Sequence, residues 1–380
     1  MSEVESKYFE NRVKTLEKRL NEENLNCAIF FKDQNIFYLT GFFAKNSGNV
    51  LVFTPEKLYL IVHFIYYQEA KKTVKLKNIE ILTYTSNKIK IFNDLIFSIN
   101  YDIFGIESTA LNYNEYLKIK NQLKKIKKKV KNLKYFVENQ RVVKDSLEIS
   151  NIKKACEITE NALMKVFNFS LKNFFEFTEI ELAFFIENLM IKNNSSRKSF
   201  DLIVANNENS SLPHFFPSLK KISEGLLLFD VGCIYNNYCS DITRTIFLGN
   251  NLDKTIALKI DKLKKIYEVV LQAQVSAINE CRAGITAAKL DKTARKIIEK
   301  FGYGDFFGHG LGHGVGIEVH EKPTISVNSN EILLENMVVT IEPGVYIEGI
   351  GGVRIEDMVI INEKGCQILY SLPKTILVIK

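Results

Sequence analysis

The chain has no uninterrupted apolar run near the roughly 20 residues that a membrane-spanning helix needs. Its opening, MSEVESKYFENRVKTLEKRL, is polar and amphipathic and lacks the apolar core of a secretion signal. Both absences point to a cytoplasmic protein with no membrane partner. The six cysteines (Cys27, Cys156, Cys233, Cys239, Cys281 and Cys366) are scattered and form no CxxC pair. They read as reduced, mostly buried thiols rather than a disulfide framework. There is no low-complexity tail and no short-period repeat. Histidine is scarce, with five in 380 residues.

What is present is ordinary for a globular protein. Hydrophobic residues make up 46% and charged residues 25%, enough for a large core. The length suits two domains rather than one. The net charge of +7 comes with many Lys, Asn and Ile residues, so it reflects residue usage as much as a basic surface. The charged segment Val137–Ile149 reads as a boundary, which gives domains 1–140 and 141–380.

An amphipathic helix is expected over Arg12–Glu23. Cys27–Phe31, Val50–Thr54, Leu58–Phe64, Ile79–Tyr84 and Asp102–Glu107 are β-rich, and Asn35–Phe42 (NIFYLTGF) reads as strand and turn. With helical segments between them, these runs predict an α/β domain with a mixed sheet. Over Leu117–Leu133 the residues Ile119, Leu123, Ile126, Val130 and Leu133 recur at steps of three and four, predicting one helix with lysines on its outer face. No aromatics interleave with the Lys124–Lys131 run, which reads as a solvated face rather than a nucleic-acid site.

The second half begins with a helix over Ser146–Val166, and the capping box Thr178-Glu179-Ile180-Glu181 opens another. Ser199–Asn206 is strand-like, and a polar loop leads to His214. A strand, the turn Asn236-Asn237 and a second strand follow. Two helices, Leu258–Cys281 and Thr286–Phe301, precede the stretch FFGHGLGHGVGIEVHEKP, Phe306–Pro323. Then VVTIEPGVYI and GGVRIEDMVIIN each read as strand.

Four of the five histidines, His214, His309, His313 and His320, gather near Gly-rich turns and separated carboxylates, which suggests a metal site. The carboxylates sharpen this. If Asn236-Asn237 is a two-residue turn, Tyr235 pairs with Tyr238 and Asp230 falls opposite Thr243. Asp230 and Asp241 then share a face as diagonal neighbours, roughly 7–8 Å apart at Cβ. Asp230 also follows the apolar run LLLF, where a buried carboxylate needs a partner or a cation. Glu342 ends the run VVTI, and Arg354 and Glu356 fall on one face of a strand. The plain alternatives are an exposed strand-end acid and an ordinary Arg–Glu pair. Four carboxylates with one imidazole make a hard, oxygen-rich site that suits Mn²⁺ and would also bind Co²⁺, Fe²⁺ or Zn²⁺. Two ions would balance the charge better than one.

In the segments FDVG, YCSDITRT, HGLGHGVGIEVHEKP, TIEPGVY and GGVRIED, the residues Asp230, Asp241, His313, Glu342 and Glu356 resemble the five metal ligands of the pita-bread metallopeptidases. That family includes methionine aminopeptidase, Xaa-Pro aminopeptidase and prolidase. The match runs from about Asn151 to the end. The first half resembles the creatinase/prolidase-type N-terminal domain, with NIFYLTGF as its clearest segment. Methionine aminopeptidases lack that domain, so the resemblance points to the Xaa-Pro branch.

The resemblance implies an α+β pita-bread catalytic domain behind the α/β one. It implies two divalent ions per chain, with Asp230 terminal on one, Asp241 and Glu356 bridging, and His313 and Glu342 completing the second. A metal-bound hydroxide would attack the carbonyl before proline, with Glu342 moving the proton. His320 would stabilise the tetrahedral intermediate, His309 and His214 would line the substrate pocket, and Arg354 would orient the bridging glutamate. The loop NNENSSLPH and Leu311 depart from the usual pattern, and neither is a ligand. The expected activity is an Xaa-Pro aminopeptidase, with Xaa-Pro dipeptidase (prolidase) as the alternative and a non-enzymatic pita-bread binding protein behind both. The resemblance also favours a homodimer or homotetramer.

Overall fold

The β-rich runs of the first half zip into one mixed sheet. The computed structural model describes residues 3–74, 76–249 and 254–380 and divides into two units, Met1–Arg141 and Val142–Lys380. The first unit opens with α1 (Glu3–Glu22), β1 (Cys27–Phe30), α2 (Asp33–Thr40), β2 (Val50–Phe53) and β3 (Leu58–His63). It continues through α3 (Tyr67–Thr73), β4 (Ile79–Tyr84), α4 (Lys88–Ser98) and β5 (Ile103–Ile106). It closes with α5 (Tyr113–Lys125), β6 (Lys129–Asn132) and α6 (Phe136–Arg141). The strand order is β4-β3-β2-β1-β5-β6, with β2 antiparallel to both its neighbours and the outer pairs parallel. This is the mixed α/β sheet that the alternation predicts.

Two expectations in this unit fail. Asn35–Phe42 is not strand and turn: it is mostly helix α2, closed by Gly41 in the left-handed region at φ 80°. Every residue from Asn35 to Thr40 is buried, so the helix shows no polar face from which its period could be read. Leu117–Leu133 is not one helix. α5 stops at Lys125, Lys127 takes φ 60°, and β6 adds parallel to β5. Ile119, Leu123, Ile126 and Val130 still meet one core, through helix, turn and strand. β6 is an edge strand, and its exposed Lys129 and Lys131 guard that edge against further pairing.

The second unit begins with α7 (Ser146–Phe167), α8 (Leu171–Phe175), α9 (Glu179–Lys192), β7 (Arg197–Lys198) and β8 (Ile203–Asn206). Then come β9 (Gly225–Val231), β10 (Cys233–Tyr235), β11 (Tyr238–Cys239), β12 (Ile242–Leu248), α10 (Lys254–Glu280) and α11 (Ala287–Lys300). The last strands are β13 (Gly312–Gly314), β14 (Glu321–Ile325), β15 (Val338–Ile341), β16 (Gly344–Ile347), β17 (Gly351–Arg354), β18 (Asp357–Ile361), β19 (Cys366–Ile368) and β20 (Val378–Ile379). Asp145 and Thr178 close the capping boxes of α7 and α9. The apolar stripes of α10 and α11, including Ile266, Val270, Leu290 and Ala294, pack against Leu228, Val339, Val353 and Val359 of the strands. Among the described residues no helix is long and apolar enough to cross a membrane. All six cysteines are free, five of them buried.

The strand pairs of this unit change sheets together. β9 and β12 pair within a four-stranded sheet, and the same two chain segments continue as β10 and β11 in a three-stranded one. β15 and β18 pair in a five-stranded sheet and continue as β16 and β17 in a two-stranded one. So VVTIEPGVYI and GGVRIEDMVIIN are not single strands. Each is broken, at Glu342-Pro343 and at Ile355-Glu356. Pro343 has no N–H for a ladder, which suits the first break. Asp241, Glu342 and Glu356 all sit at these partings.

Candidate metal centre

The hairpin sets the two aspartates. Asn236 and Asn237 take φ 47° and 66°, the left-handed pair of a tight turn. Tyr235 pairs with Tyr238 and Asp230 with Thr243, the register expected from the sequence. Gly232 lets the crossing strands close, because a Cβ there would lie 2.0 Å from the Ser240 carbonyl oxygen. Just beyond, the Asp241 backbone is pinned by the Tyr370 hydroxyl, which takes its N–H at 3.2 Å and gives its proton to its carbonyl at 2.7 Å.

His313 enters from β13. A Cβ at its neighbour Gly312 would lie 2.1 Å from the Thr340 carbonyl oxygen, so only glycine admits this approach. His313 Nδ1 lies 3.0 Å from the Gly314 carbonyl and donates to it, so Nε2 is the nitrogen turned into the cluster, able to hold a proton against Glu342 or offer its lone pair to an ion. Nε2 points at Glu342 Oε1, 3.3 Å away, and Asp241 Oδ2, 3.8 Å away. Thr340 Oγ1 ties the group together: it accepts from the His313 N–H at 3.0 Å and donates to Glu342 Oε1 at 3.2 Å. One ligand atom each from Asp241, His313 and Glu356 lies within 4.8 Å of the others.

The remaining pair is held differently from the expectation. Arg354 and Glu356 do not share a strand face, because Glu356 lies in the break after β17. Arg354 Nη2 binds Asp230 Oδ2 at 2.5 Å and reaches Glu356 only through Thr243. Arg354 Nε donates to Thr243 Oγ1 at 3.0 Å, and that hydroxyl donates to Glu356 Oε2 at 2.7 Å. Arg354 Nη1 also donates to the Tyr346 hydroxyl at 2.7 Å, and His309 Nε2 lies 3.0 Å from the same hydroxyl. Below the site, buried Arg244 binds Asp357 at 2.7 Å and the Glu356 carbonyl at 2.5 Å, fixing the backbone at the break.

The electrostatics fit a cation. Burial, together with neighbouring carboxylates, pushes the Asp241 and Glu356 carboxyls well above the usual range. Burial also raises Asp230, against the pull of Arg354. Burial would raise Glu342 too, but the hydrogen bond and charge of His313 outweigh it and hold the carboxyl down to about 2. Asp230 Oδ1 is buried with no hydrogen-bond donor facing it. A cluster of mutually repelling carboxylates, one orphaned oxygen and an imidazole lone pair is a donor set for a hard divalent ion.

The other histidines surround this cluster. The His320 ring is exposed and lies edge-on to His313 at 4.4 Å. His214 is exposed on the loop after the 3₁₀ turn Asn207–Ser211. His309 is half-buried, with Nδ1 2.8 Å from the Gly310 carbonyl. Sequence reasoning passed over Thr243, Thr340 and Tyr346. Each lies in a segment that carries a ligand, but hydroxyls at strand positions have no pattern of their own.

Known proteins align with nearly the whole chain. The family model described as metallopeptidase family M24 matches residues 150–363, and the creatinase/prolidase N-terminal domain model matches residues 12–143. An Xaa-Pro dipeptidase from Pyrococcus furiosus is 38% identical, covering 97% of this chain and all of that one. Among solved structures, an Xaa-Pro dipeptidase from Bacillus anthracis superposes with a TM-score of 0.87 at 32% identity, covering 97% of this chain and 99% of that one. An X-Pro aminopeptidase from Thermotoga maritima gives 0.85 at 32% identity, covering 96% and 99%.

Proposed function

Because the chain belongs to metallopeptidase family M24, with a creatinase/prolidase N-terminal domain before a pita-bread catalytic domain, we propose that it hydrolyses the bond between any residue and proline. The observation that carries this is the meeting of Asp241, His313 and Glu356 ligand atoms in a chain 38% identical to an Xaa-Pro dipeptidase. The reading assigns residues 1–140 to the first domain and 141–380 to the second.

The divalent ions would be held by Asp230, Asp241, His313, Glu342 and Glu356, and when bound they supply Lewis acidity toward the carbonyl and water. Two ions per chain match the five ligands, and the oxygen-rich set favours Mn²⁺ over Co²⁺, Fe²⁺ and Zn²⁺. Glu342 takes the proton from the attacking water and delivers it to the prolyl nitrogen, which leaves as an amine. His320 donates a hydrogen bond to the carbonyl oxygen as charge grows there. His214 donates to the substrate backbone. His309, Tyr346 and Arg354 form one hydrogen-bonded wall that orients the peptide. The proline nitrogen carries no hydrogen, so a wall that asks for no donor there selects it.

Between the two activities, the relatives' names favour dipeptide hydrolysis over the aminopeptidase that the sequence alone suggested. The Thermotoga neighbour supports the aminopeptidase as second reading. Peptidases that act on Xaa-Pro dipeptides should leave Xaa-Pro-containing tripeptides nearly untouched. Assay of both with Mn²⁺ decides: comparable tripeptide cleavage makes it an aminopeptidase, and no cleavage of either sinks the reading. Chelation should abolish turnover and Mn²⁺ restore it. A non-enzymatic binding protein would show no turnover at two equivalents of metal. The reading also takes in a cytoplasmic homodimer or homotetramer without nucleic-acid binding, which light scattering and a salt-dependent DNA titration measure.

A further inference from the structure

We infer that Glu179 is the positioning residue for the loop that carries His214, an inference that rests on the role given to His214 above. Glu179 is the first residue of α9, directly after the cap Thr178, and it is fully buried. Among the described residues no Lys, Arg or His lies within ion-pair distance of it. A buried carboxylate without a cation is tolerated only when hydrogen bonds fill its lone pairs.

They do, and they come from both ends of one loop. Oε1 accepts from the Asn206 N–H at 2.8 Å and from Asn209 Nδ2 at 2.9 Å. Oε2 accepts from Asn209 Nδ2 at 3.1 Å, the Ser218 N–H at 3.2 Å and the Ser218 hydroxyl at 2.5 Å. The free N–H groups of the helix start add to the clamp. Glu179 N donates to the Lys220 carbonyl and Ile180 N to the Ser218 carbonyl, both at 3.1 Å. One carboxylate therefore closes the loop from Asn206 to Ser218.

The middle of that loop is laid on β17. Gly352 N donates to Ser210 Oγ at 2.8 Å, and a Cβ on Gly352 would lie 2.2 Å from the Ser210 carbonyl oxygen. Arg354 Nη1 lies 3.5 Å from the Pro213 carbonyl, so the loop also abuts the residue that holds Asp230. Beyond these contacts the loop tip is open. Leu212 is 56% exposed and Phe216 is 74% exposed. Phe215, next to His214, packs against the core, so that contact and the closed ends together decide where His214 stands. Glutamine has the same shape but offers one acceptor oxygen and places an NH₂ against a donor. A carboxylate is needed for the clamp.

The test uses the full-length, Mn²⁺-loaded protein. Glu179→Gln should speed hydrogen–deuterium exchange across residues 207–218 at least tenfold, with metal content unchanged. Its kcat/KM for an Xaa-Pro dipeptide should fall about 10- to 100-fold. In the His214→Ala background the same substitution should cost nothing more, because it acts through that histidine. Multiplicative losses, or unchanged exchange in the loop, overturn the inference. If Glu179→Gln does not fold, Ser218→Ala and Asn209→Ala remove donors from the loop side and should give smaller changes of the same kind. The exchange result stands even if the wild type cleaves no Xaa-Pro bond, so the two readings fail separately.

Discussion

Thr243 joins residues that the chain holds far apart. Its hydroxyl takes the Arg354 Nε–H and gives its own proton to Glu356, so one atom fixes the bridge candidate relative to the arginine of Asp230. Thr243→Val keeps the shape and breaks the link. Such outer hydrogen bonds typically carry about 10- to 100-fold in metal affinity. Calorimetric Mn²⁺ titration should therefore show weaker binding in the variant, and equal affinity would exclude this role. His320 makes the opposite case. It is exposed and touches the cluster only through the His313 ring. His320→Ala should keep its metal, measured by elemental analysis, yet lose on the order of 10²- to 10³-fold in kcat. Loss of metal with turnover would move His320 into the ligand set. Asp241→Ala should lose both together.

At the scale of elements, the hairpin from β9 to β12 is the part of the site that could be read most fully from sequence. Two asparagines accept the left-handed backbone of a two-residue turn, and the turn then fixes the pairs Tyr235–Tyr238 and Asp230–Thr243. The partings between sheets could not be read that way. VVTIEPGVYI and GGVRIEDMVIIN each read as one β-rich run on both sides of the break, and the partner strands that bend away from each other are distant in sequence. Gly232 marks such a parting. Gly232→Ala would press a methyl onto the Ser240 carbonyl and the Ser199 hydroxyl, 2.0 and 2.3 Å away. We expect a loss of about 1–3 kcal/mol in stability, together with lower metal occupancy because Asp230 and Asp241 flank the disturbed crossing. A variant with unchanged urea midpoint and full occupancy would show that the crossing can relax.

At the scale of a whole unit, Met1–Arg141 is organised around buried Glu107. Its carboxylate accepts the Phe31 and Lys32 N–H groups, each at 2.7 Å, and Asn35 Nδ2 at 2.5 Å, while Arg141 binds Asn35 Oδ1 at 2.7 Å. This is what seats the start of α2. Burial pushes the carboxyl up to about 7, against these hydrogen bonds. A carboxyl whose folded value lies above its unfolded value favours the folded state when protonated. Glu107's contribution to the stability of this unit should therefore be fully present below about 4.5, be lost as pH rises to about 7, and be absent above that. The full difference corresponds to about 3 kcal/mol. Glu107→Gln should flatten the slope between pH 5 and pH 8 in denaturant unfolding (an unaltered slope would assign the effect elsewhere).

The sequence by itself determined which residues could carry chemistry and how neighbours along one element face one another. Turn type, cap and period are local, so Asp230 and Asp241, the boxes at Asp145 and Thr178 and the mixed sheet follow from residues close in the chain. Only the tertiary structure decided what is distant. It made α2 a helix because its surroundings bury it on every side. It split the lysine-rich stretch into helix and edge strand because β5 offered a free edge. It set Glu356 at a break, linked to Arg354 through Thr243, and it closed the His214 loop on Glu179, 35 residues before that histidine. Burial and hydrogen bonding between remote segments govern each of these, and neither leaves a period in the sequence.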